Sequence, residues 1–160
     1  MTLMRRICLL VAIMFWQGGF MFYSAVVVPV GTDILGSHVA QGFITRSVTN
    51  YLNLAGIFAL ALILCDIAFT HDTSRARRRI RWVLWLLLLV SLGILSWLHV
   101  RLDHLINDES QSILDRRSFR DMHSWYLITS TAQWVASLTL LAFTLPAWKS
   151  EDRWRLIQKP

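Results

Sequence analysis

The sequence has little charge for its length. Only 16% of its 160 residues are Asp, Glu, Lys or Arg, whereas soluble domains average about 25%. The apolar residues make up 55% of the chain and are concentrated in long runs. Such runs exclude an ordinary soluble domain and predict helices that cross a lipid bilayer.

The sequence also lacks the motifs of common enzymes. It contains no nucleophile elbow, Walker loop or paired glutamates, which argues against a conventional hydrolase or kinase. Its two cysteines, Cys8 and Cys65, lie in separate apolar runs without CxxC or Cys/His spacing. We expect both to be free thiols with a buried, apolar role. We therefore assign no catalytic residue and predict no bound cofactor.

Four apolar stretches have the length of membrane-spanning helices, and they cover approximately residues 7–30, 48–69, 82–100 and 123–148. The first is too long for a signal peptide, whose apolar core has about 7–15 residues. We predict an all-α fold, with residues 1–160 forming one integral membrane domain, a four-helix up-down bundle. Asp33 is predicted to cap a turn in the first connection. Ser118 with Asp121 resembles a capping box at the start of the fourth helix.

Positive charge is distributed unevenly among the segments outside these stretches. The N-terminal segment, the second connection and the C-terminal tail carry eleven of the sixteen Lys and Arg residues, and the other two connections carry five. The positive-inside rule therefore places both termini in the cytoplasm, and we expect a bacterial inner membrane. The net charge of +6 flanks apolar runs, so it favours the surface of a lipid bilayer over nucleic acid as partner. A second copy or another membrane protein is the expected protein partner.

Polar residues of three predicted helices converge on the outer side of the membrane in this orientation. These residues are Arg46, Asn50, Asn53, Ser96, His99, Asp103, His123 and Tyr126. Two interpretations stay open: a ligand, ion or proton site, or a hydrogen-bond network that determines which helix faces which. His99 and Asp103 share a helix face at i, i+4, and with His123 they are the candidate ligands if a metal binds.

A second polar row lies deeper in the fourth apolar stretch. His123, Tyr126, Ser130, Gln133 and Ser137 fall within an arc of roughly 80° of one helix. We expect this face to contact other helices, because polar side chains find partners there and none among acyl chains. Gln17 of the first helix is predicted to lie at a similar depth and to contact Gln133 or Ser137. Asp66 is predicted to pair with the arginine-rich second connection.

These patterns lead to three hypotheses. The first is a non-enzymatic membrane protein whose polar interhelical residues order the bundle or bind a partner. The second is a small transporter or a metal- or cofactor-binding protein that uses His99, Asp103 and His123. The third is a membrane oxidoreductase.

Three strings, WQGGFMFYSAVVVPVG, TNYLNLAG and FRDMHSWYLITSTAQW, suggest a family. Together they resemble the transmembrane protein 205-like family, a domain of unknown function, over nearly the whole chain. The resemblance implies a small multi-span bundle and no settled activity. The first helix is also similar to small membrane proteins of the copper-resistance and haem-biosynthesis types, without the histidine expected there.

Overall fold

Four long helices dominate the computed structural model, which describes residues 2–107 and 112–158. They are α1 (Thr2–Leu35), α2 (His38–Phe69), α3 (Arg75–Asp103) and α4 (Arg116–Ile157), and all are long and apolar enough to cross a membrane. Each contains one predicted span, so the prediction of four such helices is confirmed. A short antiparallel pair that was not predicted, β1 (Ile106–Asn107) and β2 (Ser112–Ile113), precedes α4. The termini, Met1 and Pro160, lie outside the described residues.

Side chains cap the starts of three helices. Ser37, Ser74 and Asp115 each accept hydrogen bonds from backbone N–H groups two or three residues later, at the starts of α2, α3 and α4. The caps predicted from sequence are therefore wrong. Asp33 lies inside α1, and the Ser118 hydroxyl donates to Asp115, which already has the extended backbone of a capping residue. The predicted C-terminal tail is also helical, since α4 continues to Ile157.

α1 continues past Pro29, although a proline inside a helix tends to kink or end it. Two five-residue π-helical segments, Met14–Gly18 and Tyr23–Val27, interrupt its α-helical hydrogen bonding. Pro29 follows the second segment, in the first turn of the next α-helical stretch, and it has no N–H with which to continue the backbone hydrogen bonding. The helix ends at Gly36, whose φ of 61° is in the left-handed region that glycine adopts without strain.

All four helices contribute to one apolar core, which consists of Leu9, Ile13, Trp16, Ala59, Leu60, Ile63, Ile67, Leu88, Leu92, Ala136, Leu140 and Trp148. The outer surface is apolar as well and exposes large side chains such as Phe15, Phe58 and Val83. Buried positions include charged side chains such as Asp66 and Arg81. Charges inside and large apolar side chains outside reverse the pattern of a water-soluble bundle. Cys8 and Cys65 are free thiols, but both are exposed on this surface rather than buried as predicted.

α1 and α2 approach each other closely at Gly56. A Cβ atom placed on Gly56 would lie 2.8 Å from the Trp16 indole, which is itself buried. Small residues permit this kind of close helix contact. Gly56 therefore makes room for the largest side chain that α1 contributes to the core.

We expect Gly56→Ala to lower the free energy of unfolding by about 1–3 kcal/mol, because the added methyl group must displace a buried ring. Gly42→Ala is the matched control, since Gly42 is also in α2 and nothing lies within 4 Å of a Cβ placed there. The control should be neutral or stabilising by up to about 1 kcal/mol, because alanine favours the helix. Thermal unfolding in detergent measures both, and equal stabilities would contradict the close contact.

Candidate functional site

The most deeply buried charges lie where an end of each helix meets the others. Asp66, near the end of α2, is fully buried. Its carboxylate lies 2.9 Å from Arg5 Nε of α1 and accepts a hydrogen bond of 2.6 Å from Arg81 Nη2 of α3. Trp148 of α4 donates its indole N–H to the same carboxylate at 3.0 Å. One carboxylate therefore joins its own helix to the three others, and the predicted pairing of Asp66 with the arginine-rich region is confirmed.

Glu151 of α4 extends this group of charges. It is buried and accepts hydrogen bonds from Arg5 at 2.7 Å, Arg6 at 3.1 Å and Arg155 at 3.0 Å. Arg6 also pairs at 2.7 Å with Asp152, which is 53% exposed. The buried or half-buried members of this group form the Asp66 cluster, which consists of Arg5, Arg6, Asp66, Arg81, Trp148 and Glu151.

The Asp66 cluster is held together by compensation of charge. Removing an ion from water costs several kcal/mol, and only close partners of opposite sign return that free energy. Within the described part of the chain, Arg81 Nε and Nη1 have no hydrogen-bond partner. The ion pair with Asp66 is therefore the main compensation for the buried charge of Arg81. The contacts of the cluster are ion pairs and hydrogen bonds among arginines, carboxylates and an indole. This arrangement links the four helices.

We expect Asp66→Asn to lower the free energy of unfolding by about 3–5 kcal/mol, because it leaves the buried Arg81 without its counter-charge and removes one of the two carboxylates that Arg5 contacts. Asp152→Asn is the matched control, since it removes the same charge from a half-exposed ion pair and should cost about 0–1 kcal/mol. Unfolding in detergent, followed by circular dichroism, compares the two variants. Similar losses in both would contradict a special role for Asp66.

Three members of this site are not predicted from the sequence: Arg5, Arg6 and Glu151. In the sequence, the two arginines contribute only to the charge asymmetry that predicts the orientation of the chain in the membrane. Glu151 is one of only two glutamates in the sequence and follows the end of the fourth predicted span. The other predicted helices carry arginines at their ends on the same side. Opposite charges at helix ends on the same predicted side are an indication of pairing.

The predicted outer cluster forms only in part. Arg46 Nε of α2 lies 3.2 Å from Asp103 Oδ2 of α3, and His99 Nε2 lies 3.7 Å from the same oxygen. Tyr126 of α4 has a side-chain interaction with Thr49 of α2. These contacts link α2 with α3 and with α4 at the end opposite to the Asp66 cluster along each helix.

The other predicted members of the outer cluster are spread over the surface. Asn50 and His123 are exposed, and Asn53 and Ser96 are half-buried. The exposed His123 ring stacks on Phe119, which is one turn earlier in the same helix, with ring centroids 6.1 Å apart. Within residues 2–107 and 112–158, no three His, Cys, Asp or Glu side chains are grouped to hold a metal ion.

The deeper polar row is buried between helices from Ser130 onward, whereas His123 at its start is exposed and not in the predicted helix contact. Gln17, Ser130, Gln133 and Ser137 are all buried, and Gln133 Nε2 donates to Ser91 Oγ of α3 at 2.9 Å. Ser130 and Ser137 donate to carbonyl groups of their own helix. The predicted contact of Gln17 with Gln133 or Ser137 is wrong, because Gln17 Nε2 finds no hydrogen-bond partner in the described residues. Gln133 faces α3 instead of α1.

A double-mutant cycle distinguishes the two possible partners of Gln133. We expect Gln133→Leu and Ser91→Ala to be non-additive by about 0.6 kcal/mol or more, since hydrogen bonds between membrane helices average about 0.6 kcal/mol and reach about 1.7 kcal/mol. Gln133→Leu and Gln17→Leu form the control cycle and should be additive within about 0.5 kcal/mol, because these side chains share no bond. The free energies of unfolding of all single and double variants are the measurement. Coupling in the control cycle alone would reverse the assignment.

Comparison of the chain with protein-family models, with curated proteins and with solved structures finds no match. The resemblance to the transmembrane protein 205-like family therefore stays a prediction.

Proposed function

We propose that the chain is a non-enzymatic multi-pass membrane protein in which buried polar contacts determine the arrangement of the helices. The observation that carries this proposal is the Asp66 cluster, where one buried carboxylate contacts Arg5, Arg81 and Trp148 from three other helices. Buried ion pairs determine which helices are neighbours more strictly than apolar packing does. If one helix is displaced, a buried charge is left without its counter-charge.

The proposed architecture is an up-down bundle that crosses the membrane four times. Arg5 is near the start of α1, Asp66 near the end of α2, Arg81 near the start of α3 and Glu151 near the end of α4. Contacts among these four positions support helices that alternate in direction. The Arg46–Asp103 pair, between the start of α2 and the end of α3, supports the same order.

In the proposed orientation, the Asp66 cluster and both termini face the cytoplasm of a bacterial cell. The support is the charge distribution, with eleven of sixteen basic residues in the segments assigned to that side. The outward apolar faces then contact the acyl chains of the inner membrane. A second copy or another membrane protein is the protein partner that such faces would accept.

Labelling of single cysteines tests this orientation in a Cys8→Ser, Cys65→Ser background. We expect a membrane-impermeant maleimide to label His104→Cys in intact spheroplasts and to leave Arg78→Cys unlabelled until the membrane is broken. Both native residues are exposed, so access differs only through the membrane. Labelling of Arg78→Cys from outside, without labelling of His104→Cys, would reverse the orientation, and labelling of both would contradict a sealed bundle.

One observation favours a second candidate function, a small transporter or a metal- or cofactor-binding protein. His99 is buried, and its Nε2 has no hydrogen-bond partner among the residues described, although Asp103 is 3.7 Å away. A buried imidazole nitrogen of this kind is suited to a ligand. Metal analysis and an absorption spectrum of the purified protein separate the candidates: a stoichiometric signal that His99→Ala removes would favour the second.

A further inference from the structure

A cleft of about 430 Å³ lies between the α2–α3 connection and the end of α4. This volume is within the range of about 300–1,000 Å³ that ligand sites occupy. Its lining combines basic, hydroxyl and aromatic side chains, which include Arg77, Lys149, Arg153, Thr73, Ser150 and Trp154. The cleft opens beside the Asp66 cluster, at the end of the bundle that carries most of the basic residues.

The two walls of the cleft are joined by direct contacts. Thr73 Oγ1 and Ser150 Oγ are 2.9 Å apart, and the backbone N–H of Thr73 donates to the same Ser150 oxygen at 3.4 Å. The Trp154 ring of α4 stacks on His71 of the connection, with centroids 4.1 Å apart. These contacts hold the connection against α4, so the cleft is a defined feature of the fold.

The cleft carries two positive charges without counter-charges. Asp72 binds the guanidinium of Arg77 through two hydrogen bonds and so neutralises it. Burial raises the pKa of Asp72, but the bonds from Arg77 and from the Ser74 backbone more than offset it, and the pKa lies below its ordinary value. Lys149 and Arg153, one turn apart on α4, are exposed and have no ion-pair partner within the described residues.

We propose that this cleft binds the phosphate-bearing headgroup of an anionic phospholipid. Lys149 and Arg153 supply charge-assisted hydrogen bonds to a phosphate, and Thr73 and Ser150 add hydroxyl groups. The start of α3 contributes the partial positive charge of its first turn. Basic pockets between transmembrane helices on the cytoplasmic side recognise such headgroups.

The surroundings of the cleft favour a lipid over a soluble phosphate compound. Pro146 and Ile157 give its wall apolar surface next to the charges, which suits the glycerol and acyl parts of a phospholipid. Trp154 has the amphipathic ring that is enriched at the membrane–water interface. The inference rests on the proposed membrane insertion, which places the cleft at headgroup level.

The test is native mass spectrometry of the full chain in a non-ionic detergent, with phosphatidylglycerol or phosphatidylcholine added. We expect selective retention of phosphatidylglycerol, which Lys149→Gln with Arg153→Gln weakens by about fivefold for each charge removed. Arg78→Gln with Arg79→Gln is the matched control, since it removes two charges from the same end outside the cleft and should leave retention unchanged. Lys149→Arg with Arg153→Lys keeps the charges and should retain the lipid, which separates binding from folding.

Equal loss in the cleft variant and the control would overturn the proposal, because it would indicate general charge attraction. Retention that no variant changes would overturn it as well. Displacement of phosphatidylglycerol by millimolar inorganic phosphate would reassign the cleft to a soluble phosphate compound. A carbonate wash of the membranes comes first: release of the chain would contradict membrane insertion, whereas a retained chain without lipid selectivity would contradict only the cleft.

Discussion

The burial of the Asp66 carboxylate is the constraint on which the rest of the structure depends. A carboxylate at 0% exposure has lost its hydration, so groups of opposite charge and hydrogen-bond donors have to surround it. Here those groups are Arg5, Arg81 and Trp148, and each belongs to a different helix. The contacts of this one carboxylate therefore hold one end of each of the four helices together. Glu151, three residues after Trp148 on α4, is a second buried carboxylate. It accepts hydrogen bonds from Arg5 and Arg6 and compensates their positive charges.

The contacts along the rest of the bundle are weaker individually and serve the same purpose. Gln133 bonds to Ser91 between α4 and α3, and Arg46 pairs with Asp103 between α2 and α3. Hydrogen bonds between membrane helices average only about 0.6 kcal/mol, so their value is in specifying neighbours more than in adding stability. Gly56 contributes differently, because its missing side chain lets α1 and α2 pack closely. Together these contacts give a bundle whose outer surface is apolar and whose core contains charged side chains.

The sequence predicted the elements of this fold better than their mutual contacts. Long apolar runs indicate four helices because length and hydropathy are properties of one segment, and Asp66 inside such a run indicates a buried pair. Helical periodicity shows which residues share a face, but it does not show which helix that face contacts. The sequence therefore predicts Gln17 as a partner of Gln133, whereas the structure has Ser91. The role of Glu151 depends on the placement of four helix ends. The Asp115 cap depends on local backbone conformation, which a spacing pattern does not contain.

Cross-linking between the start of α1 and the end of α4 tests the central claim that the Asp66 cluster holds the helix ends together. Arg6→Cys and Asp152→Cys replace an ion pair at the rim of the cluster, in a Cys8→Ser, Cys65→Ser background. A short bismaleimide should join positions 6 and 152 efficiently, and adding Asp66→Asn should reduce the yield severalfold. Adding Asp103→Asn, at the other end of the bundle, should leave the yield unchanged. An unchanged yield with Asp66→Asn, or no cross-link in the starting variant, would contradict the account.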